Sequence, residues 1–414
     1  MSDQPAPFAE RPFLGRTVAI VHPAWHSCGT YQVVLGQIEA WTSLGARVVT
    51  VACSDQPGFR PERKWIWTAY RKATPELDAH PRAFAGAPLL AVLAPTFLRR
   101  VLWPYVHGDQ AVIRAGMIAR AELSPEIARE KIDIVHCNHF FCMPVALRLA
   151  RGRAKILLDS HDLQARQFTI MNEGMPWLRP LASYERMLAQ ELAWMRKADA
   201  LLHLNAEEDG AFLALLPEKD HVLVYPPVPP VPTGPGGAEI VLVSSRNRAN
   251  VESALWFLRE VAPRAPEIAV RIYGSVDAGV RAADSALYEK YRDWFAGRVD
   301  RIEAVYAGAR LALLPTTSGT GLSIKTVEAM ASGMPLVATS HAFRGMNLDP
   351  RALENLVLAD DAEHFAAALR ATAAAPAPTE AERRSSATRL AYDAQFSEAA
   401  YAARLAAIAA PLMG

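Results

Sequence analysis

Residues 315–339 read PTTSGTGLSIKTVEAMASGMPLVAT. An apolar run, LALLP, ends at Pro315 and has the length of a buried strand. A loop of Gly, Ser and Thr follows, a helix opens near Ser323, and PLVATS reads as the next strand. Strand, glycine-bearing loop, helix and strand in that order form the repeating unit of a parallel α/β sheet. The loop also has a chemistry. Free backbone N–H groups at a helix N-terminus favour anionic oxygens, and glycines let a ligand approach the backbone.

Two side chains of this stretch can act on such a ligand. Lys325 falls in the first helical turn, where a cation opposes the helix dipole, and an anionic partner would offset that. Glu328 follows one turn later, where a carboxylate can accept from the two hydroxyls of a ribose. The same spacing also permits an ordinary surface ion pair between Lys325 and Glu328, worth little. Spacing alone does not separate these readings.

Outward from this stretch, the alternation extends in both directions. EIVLVSS, AVRIYGS and ENLVLAD read as strands. NVESALWFLREVAPRA is a helix with Trp256, Phe257 and Val261 on its apolar face, and DAEHFAAALRATAAA is a helix capped by Asp361. Before them, residues 226–237 read PPVPPVPTGPGG, which fits neither a helix nor a central strand. We read it as a linker, with a long surface loop as the alternative. The first half repeats the pattern: strands TVAIVHPAW, RVVTVAC, DIVHC, KILLDS and ALLHLN, with helices TYQVVLGQIEAWTSLG and YERMLAQELAWMRKA. The expected architecture is α/β with two Rossmann-like doubly wound domains, residues 14–225 and 238–395. The helix in residues 396–414 has no strand before it and is expected to cross back to the first domain.

Composition narrows the function. The chain has 414 residues, 51% hydrophobic and 21% charged, which is globular and large enough for two cores. A net charge of +1 argues against a nucleic-acid partner. Cys28, Cys53, Cys137 and Cys142 form no CxxC pair and read as reduced thiols of a cytoplasmic protein. The first dozen residues lack a signal-peptide pattern, and no apolar run is long enough to span a bilayer.

Other side chains carry competing readings. HCNHFFC, residues 136–142, holds two His and two Cys, enough for zinc in number. Alternation along a strand would point them to opposite faces, so a site-facing His136 or His139 is the preferred reading and no metal is expected. Glu185 and Glu191 read as surface residues of a polar helix. Residues 60–120 mix many arginines with aromatics, including Arg99, Arg100 and Trp103. That mixture suits an anionic membrane surface, or else an insertion whose aromatics are simply core.

The pattern GxxxKxxEAMASGxPLVAT resembles the signature of the retaining, GT-B-fold glycosyltransferases called family 4 or group 1. SSRNRANVESALWFLREVAP, AVRIYGS, RVDRIEAVYAGARLALLP and LLDSHD resemble further parts of that family along most of the chain. The resemblance implies two domains facing each other across a cleft. It implies transfer of a sugar, with retention, from a UDP- or GDP-linked donor to a glycan, lipid-linked or small-molecule hydroxyl, without a cofactor. Glu328 would bind the nucleotide ribose. Gly321, Leu322 and Ser323 would turn backbone N–H groups to the pyrophosphate and sugar, and Lys325, Arg246 and Arg248 would neutralise charge. Gly274 would pass close to base or ribose. His161 would meet the donor sugar, and Gly29 and Thr30 would face its phosphate and the acceptor. Thr320 stands where the family often has a glutamate that contacts the donor sugar, a departure that bears on which sugar is used. The alternatives are a nucleotide-sugar epimerase of the same architecture and a degenerate sugar-nucleotide-binding protein. The expected location is cytoplasmic, at the inner face of the membrane if docking occurs.

Overall fold

The computed structural model describes residues 11–109, 112–173, 183–234 and 236–413. The chain divides into two compact units, Met1–Pro226 with Tyr401–Gly414, and Pro227–Ala400.

The first unit is built on eight strands: β1 Thr17–Pro23, β2 Arg47–Pro57, β3 Arg82–Ala87, β4 Glu122–Leu123, β5 Ile134–Asn138, β6 Lys155–Asp159, β7 Ala200–His203 and β8 His221–Leu223. Their order is β4-β3-β2-β1-β5-β6-β7-β8. All neighbours are parallel except β4, which runs antiparallel to β3. Alternation places Ala19, Val21, Val49 and Val51 in one core layer, and Val18, Ile20 and Val48 in the layer on the other face. The second layer also takes Tyr401, Ala402, Leu405 and Ala409 from the helix Glu398–Met413. Strand β3 carries no strong pattern in sequence. RAFAGA is rich in Ala and Gly, poor strand formers, and its register with β2 (Thr50 opposite Arg82) imposes the conformation.

The second unit has six parallel strands: β9 Glu239–Val243, β10 Arg271–Tyr273, β11 Phe295–Gly297, β12 Ala309–Leu314, β13 Leu336–Ala338 and β14 Leu356–Leu358. Their order is β11-β10-β9-β12-β13-β14. Phe257, Leu258 and Val261 from the helix after β9 pack on Leu242, Ile272 and Leu313 with Phe365 from the helix Ala362–Ala374. The Pro/Gly-rich segment is held against this unit. Val228 and Val231 are buried, Tyr392 Oη donates to Val228 O at 2.6 Å, and Arg389 Nη1 donates to Val231 O at 3.1 Å.

Each strand order reverses once, between β1 and β5 in the first unit and between β9 and β12 in the second. Loops leaving the carboxyl ends of the strands diverge at such points and leave room for a ligand.

Candidate donor site and reaction centre

In the second unit, the loops after β9 and β12 flank the reversal. Residues 315–323 lead into the helix Ile324–Ser332, and no side chain caps its N-terminus. Ser323 stands at the cap position, but its hydroxyl is engaged by Thr326 Oγ1 at 2.8 Å. The loop turns on Gly319 and Gly321, whose φ values of 121° and 67° favour glycine. The opposite end of the helix is satisfied. Arg383, buried, donates from Nε to Ser332 O at 3.1 Å, and Arg389 Nη1 donates to Ala331 O at 2.8 Å. Cations at the C-terminus and an uncapped N-terminus leave the positive end of the helix for an anion.

Lys325 does not pair with Glu328. Its Nζ donates to Asn250 Oδ1 at 2.8 Å, tying the helix to the loop after β9. Asn250 is itself fixed by donating from Nδ2 to Ser245 Oγ at 3.0 Å. Burial, aided by the nearby Arg344, lowers Lys325 to a pKa of about 8. Glu328 is half-buried, and burial with the neighbouring Glu303 raises it to about 7. Burial thus disfavours the charged form of both groups, a cost that an anion beside Lys325 and hydroxyl donors beside Glu328 would offset.

The remaining donor-side residues separate. Gly321, Leu322 and Ser323 form the turn itself. Thr320 is exposed beside them. Arg246 is exposed in the loop after β9, with its N–H bonded to Ser275 Oγ at 2.9 Å. Arg248 is 94% exposed and pairs with Glu252 at 2.8 Å, one helical turn on. Gly274 is explained by packing: a Cβ there would lie 2.1 Å from Ser244 O, so the close approach is made by backbone. Asn250 and Arg344 escaped the sequence reading. Asn250 lies inside the quoted SSRNRANVES, whereas Arg344, 3.0 Å from where a Gly319 Cβ would stand, had no signal in local pattern.

In the first unit, His161 follows β6 and is buried with φ 59°. Its Nε2–H donates to Asn138 Oδ1 at 2.8 Å. The direction follows from the amide. Asn138 Nδ2 donates to Val21 O at 3.3 Å and to Gln37 Oε1 at 2.8 Å, so Oδ1 is the acceptor. That tautomer leaves the His161 Nδ1 as an acceptor. Burial lowers His161 to about 3, so it stays neutral. Asp159 accepts the His161 backbone N–H at 3.2 Å and is raised by burial to about 7. The His139 ring stacks on His161, 4.1 Å between centroids, and its Nε2 is hydrogen-bonded to Thr30 Oγ1 at 3.1 Å. His139 also has positive φ, 63°, and two non-glycine residues so held mark a strained locus. Gly29 opens the helix Gly29–Ser43, again without a side-chain cap.

Two readings need correction. His136 is fully buried within β5, and Trp41 Nε1 donates to its Nδ1 at 3.0 Å, so it belongs to the core. Glu191 is buried rather than on the surface. Its oxygens accept the N–H groups of Gln164 and Ala165, both at 3.0 Å, because the helix Gln164–Glu173 needs an acceptor there. Glu208 accepts from Leu163 at 3.1 Å, so two carboxylates clamp the backbone just after His161. Among the described residues no group of His, Cys, Asp or Glu is arranged to hold a metal ion.

Comparison with known proteins agrees with the two α/β units. Residues 29–227 match the glycosyl transferase 4-like domain, and residues 238–374 match the domain described as glycosyl transferases group 1. No curated protein matches the sequence. Similar solved structures include sucrose-phosphate synthase from Thermosynechococcus elongatus, at 18% identity and TM-score 0.59, covering 96% of this chain and 99% of that one. HepE from Anabaena, in complex with UDP, has 12% identity and TM-score 0.60, covering 96% and 100%. A glycosyltransferase from Rickettsia africae has 13% identity and TM-score 0.59, covering 95% and 97%. With its two α/β units and both matched regions, the chain belongs to the group 1 glycosyltransferases and is an enzyme of the GT-B fold.

Proposed function

We propose that the enzyme moves a hexosyl group from a nucleoside-diphosphate sugar to an acceptor hydroxyl, with retention at the anomeric carbon. The observation that carries this is the uncapped helix at Ile324, flanked by Gly319, Gly321, Lys325 and Glu328 at the reversal of the sheet. The second unit binds the nucleoside diphosphate. Glu328 accepts from the ribose, and loop N–H groups with Lys325 hold the phosphates. HepE, a similar structure, is known in complex with UDP and with UDP-glucose, which favours a UDP-linked donor over a GDP-linked one. In the first unit, neutral His161 accepts a sugar hydroxyl at Nδ1 and keeps the ring oriented.

In the reaction, the bond from C1 to the diphosphate breaks, and its electron pair leaves on the phosphate oxygen. The acceptor oxygen bonds C1 from the same face, and its proton goes to the departing phosphate. The stabilisation of that phosphate by helix N–H groups and Lys325 is the main catalytic contribution. No cofactor enters this scheme. A glycan or lipid-linked acceptor at the cytoplasmic face of a membrane fits the reading.

Thermal unfolding with a panel of nucleoside diphosphates tests it. Ligand at ~100 times Kd adds ~2.7 kcal/mol, a rise of about 5 °C for the unit that binds it. The matching nucleotide sugar should slowly release nucleoside diphosphate. No shift with any nucleoside diphosphate would overturn the assignment.

A further inference from the structure

Of the large apolar side chains that stand exposed among the described residues, an unusual share lies in one short segment. Leu89, Leu90, Leu93, Leu98, Leu102, Trp103 and Val106 all fall between β3 and β4, with Leu90 70% and Trp103 64% exposed. The helical run over residues 95–106 is apolar on two faces. Phe97 and Val101 point inward and pack with Val112, Met117 and Ala87. Leu98, Leu102 and Val106 recur at helical spacing on the outward face, beside Trp103. A helix on a single core needs only the first of these faces. Exposed Arg99 and Arg100 interrupt the outward face, and residues 88–108 contain no Asp or Glu.

The basic character continues on the neighbouring segment. Leu89 lies 3.8 Å from where a Gly58 Cβ would stand, which joins this face to the chain leaving β2. There Lys64, Trp65, Arg71 and Lys72 line a pocket of 390 Å³ together with one acid, Asp78, which lies 3.8 Å from Arg71, and Trp65 is 73% exposed.

We propose that this face docks on an anionic lipid bilayer, with the leucines and Trp103 entering the headgroup and acyl boundary and the arginines and lysines meeting lipid phosphates. Charge decides the occupant. A second copy of the chain would set like-charged arginines together, whereas anionic headgroups complement them. Segments after β2 and β3 leave the same edge of the parallel sheet as the loop that carries His161. Docking therefore brings the reaction centre to an acceptor anchored in lipid. That purpose rests on the glycosyltransferase reading, while docking itself is measured without turnover.

The full chain is sedimented with phosphatidylcholine vesicles and with vesicles that also contain phosphatidylglycerol. The expected result is binding to the anionic vesicles, weakened by salt. Leu98→Glu with Leu102→Glu and Trp103→Glu should lower partitioning at least tenfold. Arg99→Glu with Arg100→Glu should remove the preference for anionic lipid. These positions are exposed, and an unchanged melting curve shows that the variants fold. Three results overturn the proposal: no binding to either vesicle, equal binding by the leucine–tryptophan variant, or a dimer of the wild-type chain that this variant dissociates. Absence of nucleoside-diphosphate binding in the wild-type chain would sink the proposed donor and leave the vesicle result standing.

Discussion

Glu328→Gln should move stability and donor affinity in opposite directions. The side chain is half-buried, and its pKa rises from 4.5 to about 7 through burial and Glu303. Holding that carboxylate ionised therefore costs about 3 kcal/mol at pH values well above its midpoint, trimmed to about 2 by partial exposure. A glutamine of the same shape carries no such cost, so at about pH 8 the unliganded variant should melt some 4 °C higher. Binding behaves otherwise. A carboxylate accepting two ribose hydroxyls contributes more than an amide, which has one acceptor oxygen and presents N–H to the other hydroxyl. Hydrogen bonds to charged groups are worth about 1.5–3 kcal/mol each. A net loss of about 2 kcal/mol weakens nucleoside-diphosphate affinity about 30-fold. Calorimetric titration and thermal unfolding of the same preparation read both quantities. Unchanged affinity with raised stability would reduce Glu328 to a buried liability with no ligand role. Lowered stability would make it part of the fold, and the reasoning above would fail.

Affinity for nucleoside diphosphate should peak between about pH 7 and 8 and fall on either side, because Glu328 must be ionised and Lys325 protonated; a flat titration profile from about pH 6 to 9 would count against both roles. Without ligand, stability should decline as pH rises from about 7 to 8, above the range in which the buried, neutral His22, His136, His161 and His203 act in the opposite sense. Asp159, Glu191 and Glu208 have folded pKa values raised to about 7, 7 and 8, so the fold retains protons that the unfolded chain has released. Melting curves across that window check the sign. Asn138→Ala removes the acceptor that fixes the His161 tautomer; turnover should fall about 10- to 100-fold with nucleoside-diphosphate affinity unchanged, and equal losses in both would refute a positioning role. Arg383→Ala orphans the carbonyls of Ser332, Tyr306 and Gly234 and should cost about 3 kcal/mol of stability, read as a lower melting temperature.

Sequence made the alternation of strand and helix legible because apolar runs such as IVLV and LALL are long enough to need burial on both faces. It did not reveal β3, because RAFAGA draws its strand geometry from the register with β2 rather than from its own side chains. The short β8 and β11 were also unread. For the site, glycine spacing located the loop, and the helix was placed within a residue of its start. The partners were harder. Asn250 reaches Lys325 from 75 positions away, and Asn138 reaches Gln37 across 101. Contacts of that span are products of sheet order, which no local pattern encodes. Glu191 was misread for the same reason: its helix looks polar in isolation, and only the fold supplies the two N–H groups that take its carboxylate inside.

The two units reached their chemistry by the same route. In each, the reversal of strand order leaves loop backbone at the carboxyl edge of the sheet, and a nearby amide side chain fixes the reactive group. Asn250 holds Lys325 in the second unit, and Asn138 holds His161 in the first. An amide suits that task better than a carboxylate. A carboxylate at either position would favour the charged form of its partner, raising the pKa of Lys325 and His161. The neutral amide orients without ionising. In the proposed reaction, Lys325 can then release or take a proton as phosphate charge changes, and His161 stays an acceptor throughout. Asn138→Asp should therefore be worse for turnover than its near-identical shape suggests. It would draw a proton onto His161 Nδ1 and convert the acceptor into a donor. A pH–rate profile would show this as a new ionisation near neutrality, and its absence would mean that the amide serves only packing.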